Sequence, residues 1–362
     1  NQHISFTALL AGDKYSFLEN NAKYNQFAED NCNIRNSLLA LNYSLNIGLS
    51  TALHAHASTS KYKHFYKDYS RNSDQQNNGI VSTRLVENYR LSGNGVNSIK
   101  FSVQGKTQLN NSLTINYGLE HERFDFGIYL NRKKALDGSI TNIYSNTLNQ
   151  NAVVNTALST DISYRLSNRF RLNTGVRLSL YAVDSIGTFI PEPKVLFTYK
   201  VNERSTLNTA FTIQRQNLIL LGFTDGLGRF REFYVSNNRY SPAAISKQWS
   251  MGYFHNSTAI VNNISFEIFF KDQSNMVKYV PSVDFDKDVL NYDQFLHRNG
   301  KMRTYGVEVL LQKTSGKLYG SLSYTFANSK SRFSALNQGQ WFNADFDSRH
   351  SANFLVMYSF GK

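Results

Sequence analysis

The chain has 362 residues, 41% apolar and 14% aromatic, and carries 39 Lys and Arg against 26 Asp and Glu, a formal charge of +13. No stretch approaches the roughly 18–20 uninterrupted apolar residues of a membrane-crossing helix. Mean hydropathy is −0.42, which excludes a helical membrane protein but not a β-barrel, where only alternate residues meet lipid.

From the first residue, Asn1-Gln2-His3 leads straight into a strand-like segment, so an exported protein would need residues upstream. A long connection is expected at 18–32 and a short polar turn at 44–48. Cys32, the single cysteine, rules out an internal disulfide framework and a multi-cysteine metal site. His54 and His56 lie two apart, on one face if extended. Neutral imidazoles suit a metal, but no third ligand is identifiable, and a place in a lumen or aromatic belt is the better reading.

After a long connection at 68–97, Ile99, Phe101 and Val103 alternate with Lys100, Ser102 and Gln104. A short turn at 109–112 precedes Leu113, Ile115, Tyr117 and Leu119, which alternate with polar neighbours. A long connection at 131–152 and a short turn at 166–168 lead to the clearest segment. There Phe170, Leu172, Thr174, Val176, Leu178 and Leu180 fall on one face. Arg169, Arg171, Asn173, Gly175, Arg177 and Ser179 fall on the other. Period-two alternation of this kind gives a strand one apolar and one polar wall, whereas a helix would mix the two sets.

A shorter connection at 185–190 comes before Val195, Phe197 and Tyr199. A short turn at 201–204 then leads to Leu207, Thr209, Phe211 and Ile213. The long connection at 217–244 holds Gly222, Gly226 and Gly228, followed by Arg229, Arg231, Phe233, Tyr234, Arg239 and Tyr240. Aromatics offer stacking area and guanidinium groups offer paired donors for carboxylate, phosphate or sugar hydroxyls. Arg229, Arg231, Phe233, Tyr234 and Tyr240, with Trp341 further on, are therefore candidate ligand contacts. Tyr292, Phe295 and Phe342 are loop aromatics of similar kind. The competing reading of each is a packed, interlocked loop layer.

Short turns recur at 256–259 and 315–316, and long connections at 281–300 and 331–347. About 14 strands with short and long connections alternating fit an outer-membrane barrel, with tight turns on one side and long loops on the other. A soluble β-sandwich has no reason to sort its loops by length, and its strands average about 5–6 residues.

Catalytic motifs are absent: there is no phosphate loop, HExxH or GxSxG elbow. Asp284, Asp286 and Asp288 have the spacing of a calcium loop, but Val289 and Phe295 stand where Gly and Glu belong, so a solvated acidic loop is expected. No enzyme, metal or cofactor is expected. Cations scattered singly between aromatics argue against nucleic acid, and for a polar lumen or anionic lipid headgroups at the rims.

Four C-terminal stretches carry a resemblance. They are Pro242 to Tyr253 (PAAISKQWSMGY), Phe266 to Val277 (FEIFFKDQSNMV), Arg303 to Gln312 (RTYGVEVLLQ), and Leu318 to Arg332 with Phe346 to Phe360. In order and spacing they resemble the TonB-dependent outer-membrane receptors, particularly those of the Bacteroidetes type. The resemblance implies a 22-stranded antiparallel barrel filled by an N-terminal plug. Residues 1–362 are then a partial barrel domain, with the plug and terminal strands lying outside it.

It also implies active import of a scarce solute, such as an iron chelate, cobalamin, glycan or peptide. The implied partners are the TonB inner-membrane complex through the plug, outer-membrane lipid and a surface lipoprotein. A passive porin-like channel and a surface adhesion or structural barrel are the alternatives.

Overall fold

The computed structural model describes residues 2–21, 26–77, 81–149, 152–183, 186–224, 230–238, 240–257, 261–280 and 292–360. Its strands are β1 (Gln2–Asn21), β2 (Gln26–Ile47), β3 (Thr51–Asn77), β4 (Val81–Gln108), β5 (Leu113–Leu136), β6 (Ser139–Asn149), β7 (Val153–Arg165), β8 (Phe170–Val183) and β9 (Ile186–Lys200). They continue with β10 (Ser205–Gln216), β11 (Leu218–Thr224), β12 (Phe230–Ser236), β13 (Ala244–Asn256), β14 (Asn263–Tyr279), β15 (Leu296–Lys313), β16 (Leu318–Arg332), β17 (Phe342–Asn343) and β18 (His350–Tyr358). Among the described residues there is no α-helix.

Among the described residues sixteen strands form one antiparallel sheet, and β11 and β12 form a separate hairpin. Fourteen strands of the large sheet follow one another as the wall, because β6 pairs only with the upper part of β5 and β17 only with the tip of β16. The strand number expected from alternation is the number the wall contains.

The short turns are built by local side-chain acceptors. Asn110 Oδ1 accepts from the backbone N–H groups of Ser112 and Leu113, and Ser167 Oγ accepts from those of Arg169 and Phe170. Asn202 Oδ1 accepts from Arg204 N–H, and Gly316 takes a positive φ of 95°. Such turns satisfy tight backbone locally, so adjacent strands are pinned in register. Gly105 lies under the ring of Tyr117, which leaves no room for a Cβ.

Register fixes the faces. Leu41, Ala57 and Phe101 lie in one cross-strand row, and Tyr43, Ala55, Val103, Leu119, Leu158 and Leu178 in the next. These rows form an apolar outer belt, with Phe101, Val103, Leu119 and Leu158 each about half exposed. The opposite face carries His54, Gln104, Lys100, Glu120, Arg177 and Glu192. Arg171, Asn173 and Arg177 thus share the inner face, and Leu172, Val176 and Leu178 the outer one.

The long connections differ from the expected loops. Residues 68–97 are mostly continuous ladder, with β3 and β4 paired from Thr51 opposite Thr107 to Asn77 opposite Val81. Polar cross-strand pairs make this ribbon viable: Arg90 Nε donates to Asp68 at 2.6 Å, and the Tyr69 and Tyr89 rings lie 4.9 Å apart. The described parts of 18–32 and 131–152 likewise extend β1, β2, β5 and β6. A strand of 27 or 28 residues exceeds the roughly 9–11 needed to cross a bilayer, so the upper halves project beyond it.

Candidate functional site

The connection from β10 to β13 folds inward at the end of the wall away from the short turns. Its hairpin, β11–β12, is paired from Leu218 opposite Ser236 to Thr224 opposite Phe230. The hairpin touches β4 and β5 on one side and β14 on the other. Those strands are separated along the sheet by β7 to β10 and β13, so the sheet must curve around the hairpin. The hairpin is a strap across the concave inner face of the sheet.

Three kinds of contact fix it. The first is apolar: Leu221, Phe233 and Val235 are buried with Ile128 and Leu130 of β5, Tyr279 of β14, Tyr292, and Leu296 of β15. Phe233 meets Tyr279 and Tyr292 edge to face, at 5.3 and 5.9 Å. Alternation puts these side chains on one side of the strap, and they need apolar cover.

The second is a side-chain splice. Asn94, fully buried between Gly93 and Gly95, accepts from Tyr234 N–H at 2.7 Å and donates to the carbonyls of Tyr234 and Gly127 at 3.0 Å each. One amide thus satisfies backbone groups of both the strap and the wall.

The third is ionic. Asp30 and Asp68 stand directly opposite each other on β2 and β3. Arg231 donates to both, at 3.1 and 2.8 Å, while its guanidinium lies over the Tyr66 ring at 4.4 Å. Arg231 is only 2% exposed. Burial pushes the Asp68 carboxyl up, but a hydrogen bond with Asp30 and the charges of Arg90 and Arg231 outweigh it and hold it well below the ordinary range. Four residues earlier on β3, burial drives the His64 ring down to about 4, so it stands neutral against the Glu232 backbone.

Beneath the strap the inner face carries linked charges. Lys100 Nζ and Arg177 reach Glu120 at 2.7 and 2.6 Å, Arg177 also approaches Glu192 at 3.6 Å, and Lys194 pairs with Asp161 at 2.8 Å. Asn155, Asp161, Arg177, Glu192, Lys194 and Gln214 line a cavity of about 500 Å³. The Arg215 guanidinium stacks over Tyr181 at 4.8 Å and makes no hydrogen bond among the described residues.

The expected contact residues divide. Arg231, Phe233 and Tyr234 come together in the strap and are turned toward the wall. Tyr240 is 64% exposed just beyond it. Trp341 lies apart, its ring 4.9 Å from the Arg303 guanidinium, and Phe342 packs near Phe333. Arg229, Arg239, Gly226, Gly228 and Asp284, Asp286 and Asp288 lie outside the described residues. His54 and His56 share the inner face, bonded to Ser44 and Asn42 at 2.8 and 2.7 Å. No group of three metal-ligating side chains occurs among the described residues.

Sequence reasoning missed Asp30, Asp68 and Asn94. The two aspartates become partners only through register, and only the Gly-Asn-Gly run hints at close backbone approach at residue 94.

Comparison with known proteins gives a consistent picture. A family model described as TonB dependent receptor-like, beta-barrel matches residues 3–361. Curated protein sequences give no match. Among solved structures, the RagAB peptide transporter is similar with a TM-score of 0.56 at 10% identity, over 92% of this chain and 40% of that one. The ferric yersiniabactin uptake receptor FyuA from Yersinia pestis gives 0.52 at 11% identity, over 96% of this chain and 64% of that one. FpvAI, in its complex with pyocin S2, gives 0.51 at 11% identity, over 98% and 60%. The chain therefore spans between 40% and 64% of the length of these relatives in fold.

Proposed function

The chain belongs to the TonB-dependent receptor β-barrel family, and we propose that it is the wall and mouth of an outer-membrane receptor that actively imports a scarce solute. The observation that carries this reading is the strap. A passive pore has no need of a hairpin fastened across its lumen by a buried Arg–Asp–Asp clasp, whereas a gated importer needs a mouth that is shut at rest. In the whole protein a plug fills the lumen below the strap and couples to the TonB complex at the inner membrane, and a surface lipoprotein covers the mouth. The solute remains one of four classes: iron chelate, cobalamin, glycan or peptide.

Within this reading the barrel performs no covalent chemistry, and its work is binding and gated release. Tyr240 and Trp341 contact solute from above, and Arg229 joins them. Arg231, Phe233 and Tyr234 act through the strap's position, so that replacing Arg231 and Tyr234 together with Ala weakens solute capture while barrel assembly persists.

The test is conductance of the full-length protein in planar bilayers bathed in potassium chloride. An importer passes no steady current until the plug is released by denaturant. Steady current from untreated protein would make it a passive channel. Closed protein whose carrying cells take up no solute of any of the four classes in a gradient-dependent way would make it a structural or adhesive barrel.

A further inference from the structure

The tall ribbon of β2 to β5 carries its outer face far above the apolar belt. The registers of these four strands run upward from the belt without a shift, so their odd-numbered residues stay on the outside throughout. Tyr69 on β3 lies 14 residues beyond Ala55 of the belt (55 to 69). That is roughly 30 Å of height for a strand tilted by about 45°. Headgroups extend only about 5–8 Å past the hydrocarbon core on each side. Residues at the level of Tyr69 therefore stand in the external medium, out of reach of lipid.

At this level aromatic rings are laid against the sheet. The Phe65 ring lies over Gly93, which leaves no room for a Cβ there, and its centroid is 6.0 Å from that of Tyr129. Two outward positions higher, Tyr69 and Tyr89 stand opposite each other with their rings 4.9 Å apart. Between the two aromatic tiers runs a row holding Asn31, Lys67 and Asn131. With Glu29 and Lys133 this row and the upper tyrosines line a concavity of about 600 Å³. Asn31 is fixed in it, donating to Glu29 at 2.7 Å and accepting from Ser16 at 2.8 Å. Lys67 and Lys133 are exposed and make no ion pair among the described residues. Inner-face cations such as Lys100 and Arg177 are already held by Glu120.

We propose that this concavity binds an acidic polysaccharide, with sugar rings stacked on Tyr69 and Tyr89 and uronate carboxylates paired with Lys67 and Lys133. The C–H faces of a pyranose lie on aromatic rings, its hydroxyls exchange hydrogen bonds with side-chain amides, and its carboxylates meet ammonium groups. The concavity offers all three within one patch. It lies on the outside of the wall, away from the mouth, so it works whether the strap is fastened or released. This is a surface-binding function beyond import, and it does not rest on the identity of the solute.

The experiment titrates the full-length protein in detergent, by calorimetry, with hexagalacturonate and with its methyl ester, which keeps the rings and loses the charges. Wild type should bind the acid at least tenfold more tightly than the ester. Lys67→Gln with Lys133→Gln should erase that preference and leave the affinity for the ester unchanged. Both lysines are exposed, so the pair should keep heat-modifiable mobility on gels, the sign of a folded barrel. Tyr89→Ser should weaken acid and ester by the same factor. Lys313→Gln with Lys317→Gln removes as much charge at the opposite end of the wall and should change nothing.

Equal affinity of wild type for acid and ester, or an equal loss in the Lys313 and Lys317 control, would overturn the proposal. So would loss of saccharide binding in Tyr240→Ala with Trp341→Ala, which would move the saccharide to the mouth and make it a solute. That last result would leave the import reading standing.

Discussion

The wall and the strap are both β-structure, yet they are held together differently. In the wall every strand has ladder partners, and side chains on its outer face are left in contact with whatever surrounds it; Phe101, Leu158 and Leu180 are all more than half exposed. In the strap two short strands pair only with each other, and everything else that holds them is a side chain: Phe233 in an aromatic nest, Asn94 splicing backbone, Arg231 between two carboxylates. Lipid tolerates an exposed leucine but no unpaired backbone, so a wall must be a continuous ladder. The strap has no such continuity. It is fastened at a few points that can be released.

That contrast can be broken first at Arg231. Arg231→Met removes the cation that Asp30 and Asp68 share, leaving Arg90 on Asp68, and removing one member of a buried ionic group costs about 3–5 kcal/mol. The loss should fall on the strap alone. Hydrogen exchange at residues 218–224 and 230–236 should accelerate, while the β7–β8 ladder stays protected. Faster exchange throughout the wall would mean that strap and wall are one cooperative unit.

The wall has the opposite sensitivity. Leu178→Arg, outward in the belt opposite Leu158 and Pro191, should cost about 2–4 kcal/mol of membrane assembly. Asn173→Arg, on the inner face, should be far milder. Heat-modifiable mobility and the yield of membrane-inserted protein read the difference, and equal penalties would mean the face assignment is reversed.

These two sites also mark how far the sequence could be read. Leu178 and Arg177 declare their faces through neighbours two residues away, so the strand pattern, the number of wall strands and the short turns were legible. The clasp was not. Arg231 was visible as a promising side chain, but Asp30 and Asp68 lie 201 and 163 residues away from it and stand together only because β2 and β3 pair in one register. The long connections were misjudged for a related reason. A ribbon such as Asp68–Arg90 and Tyr69–Tyr89 is held by cross-strand polar and aromatic pairs, and read singly those residues look like loop.

A smaller effect is expected at Asn94. Asn94→Ala strands the Tyr234 N–H and carbonyl groups, at about 1–3 kcal/mol for the buried unsatisfied groups. Limited proteolysis should then cut the strap faster, with the wall intact. Unchanged cleavage would show the apolar nest to be sufficient alone.

The smallest effect is with pH. Because the Asp68 carboxyl is held below its ordinary value, its contribution is complete above about pH 4, the unfolded range, and fades as pH falls through the depressed folded value. Strap exchange, corrected for intrinsic rate, should be flat from pH 8 to about 6.5. Below that it should rise as His64, held neutral against the strap, takes up a proton on opening, and it should steepen below about pH 4 as Asp68 is protonated. In Arg231→Met the steeper rise should begin at higher pH, and a rise at neutral pH in wild type would contradict the clasp.

The most direct test of the whole account is the sidedness of the wall, measured by thiol labelling of intact cells in the full-length protein with Cys32→Ser as background. Asn337→Cys lies exposed above β16, and Asn202→Cys lies in the short turn between β9 and β10. The account predicts that an impermeant maleimide labels position 337 on intact cells and position 202 only after the outer membrane is broken. Labelling of 202 but not 337 would invert the orientation, and equal labelling of both would mean that these strands do not cross a membrane.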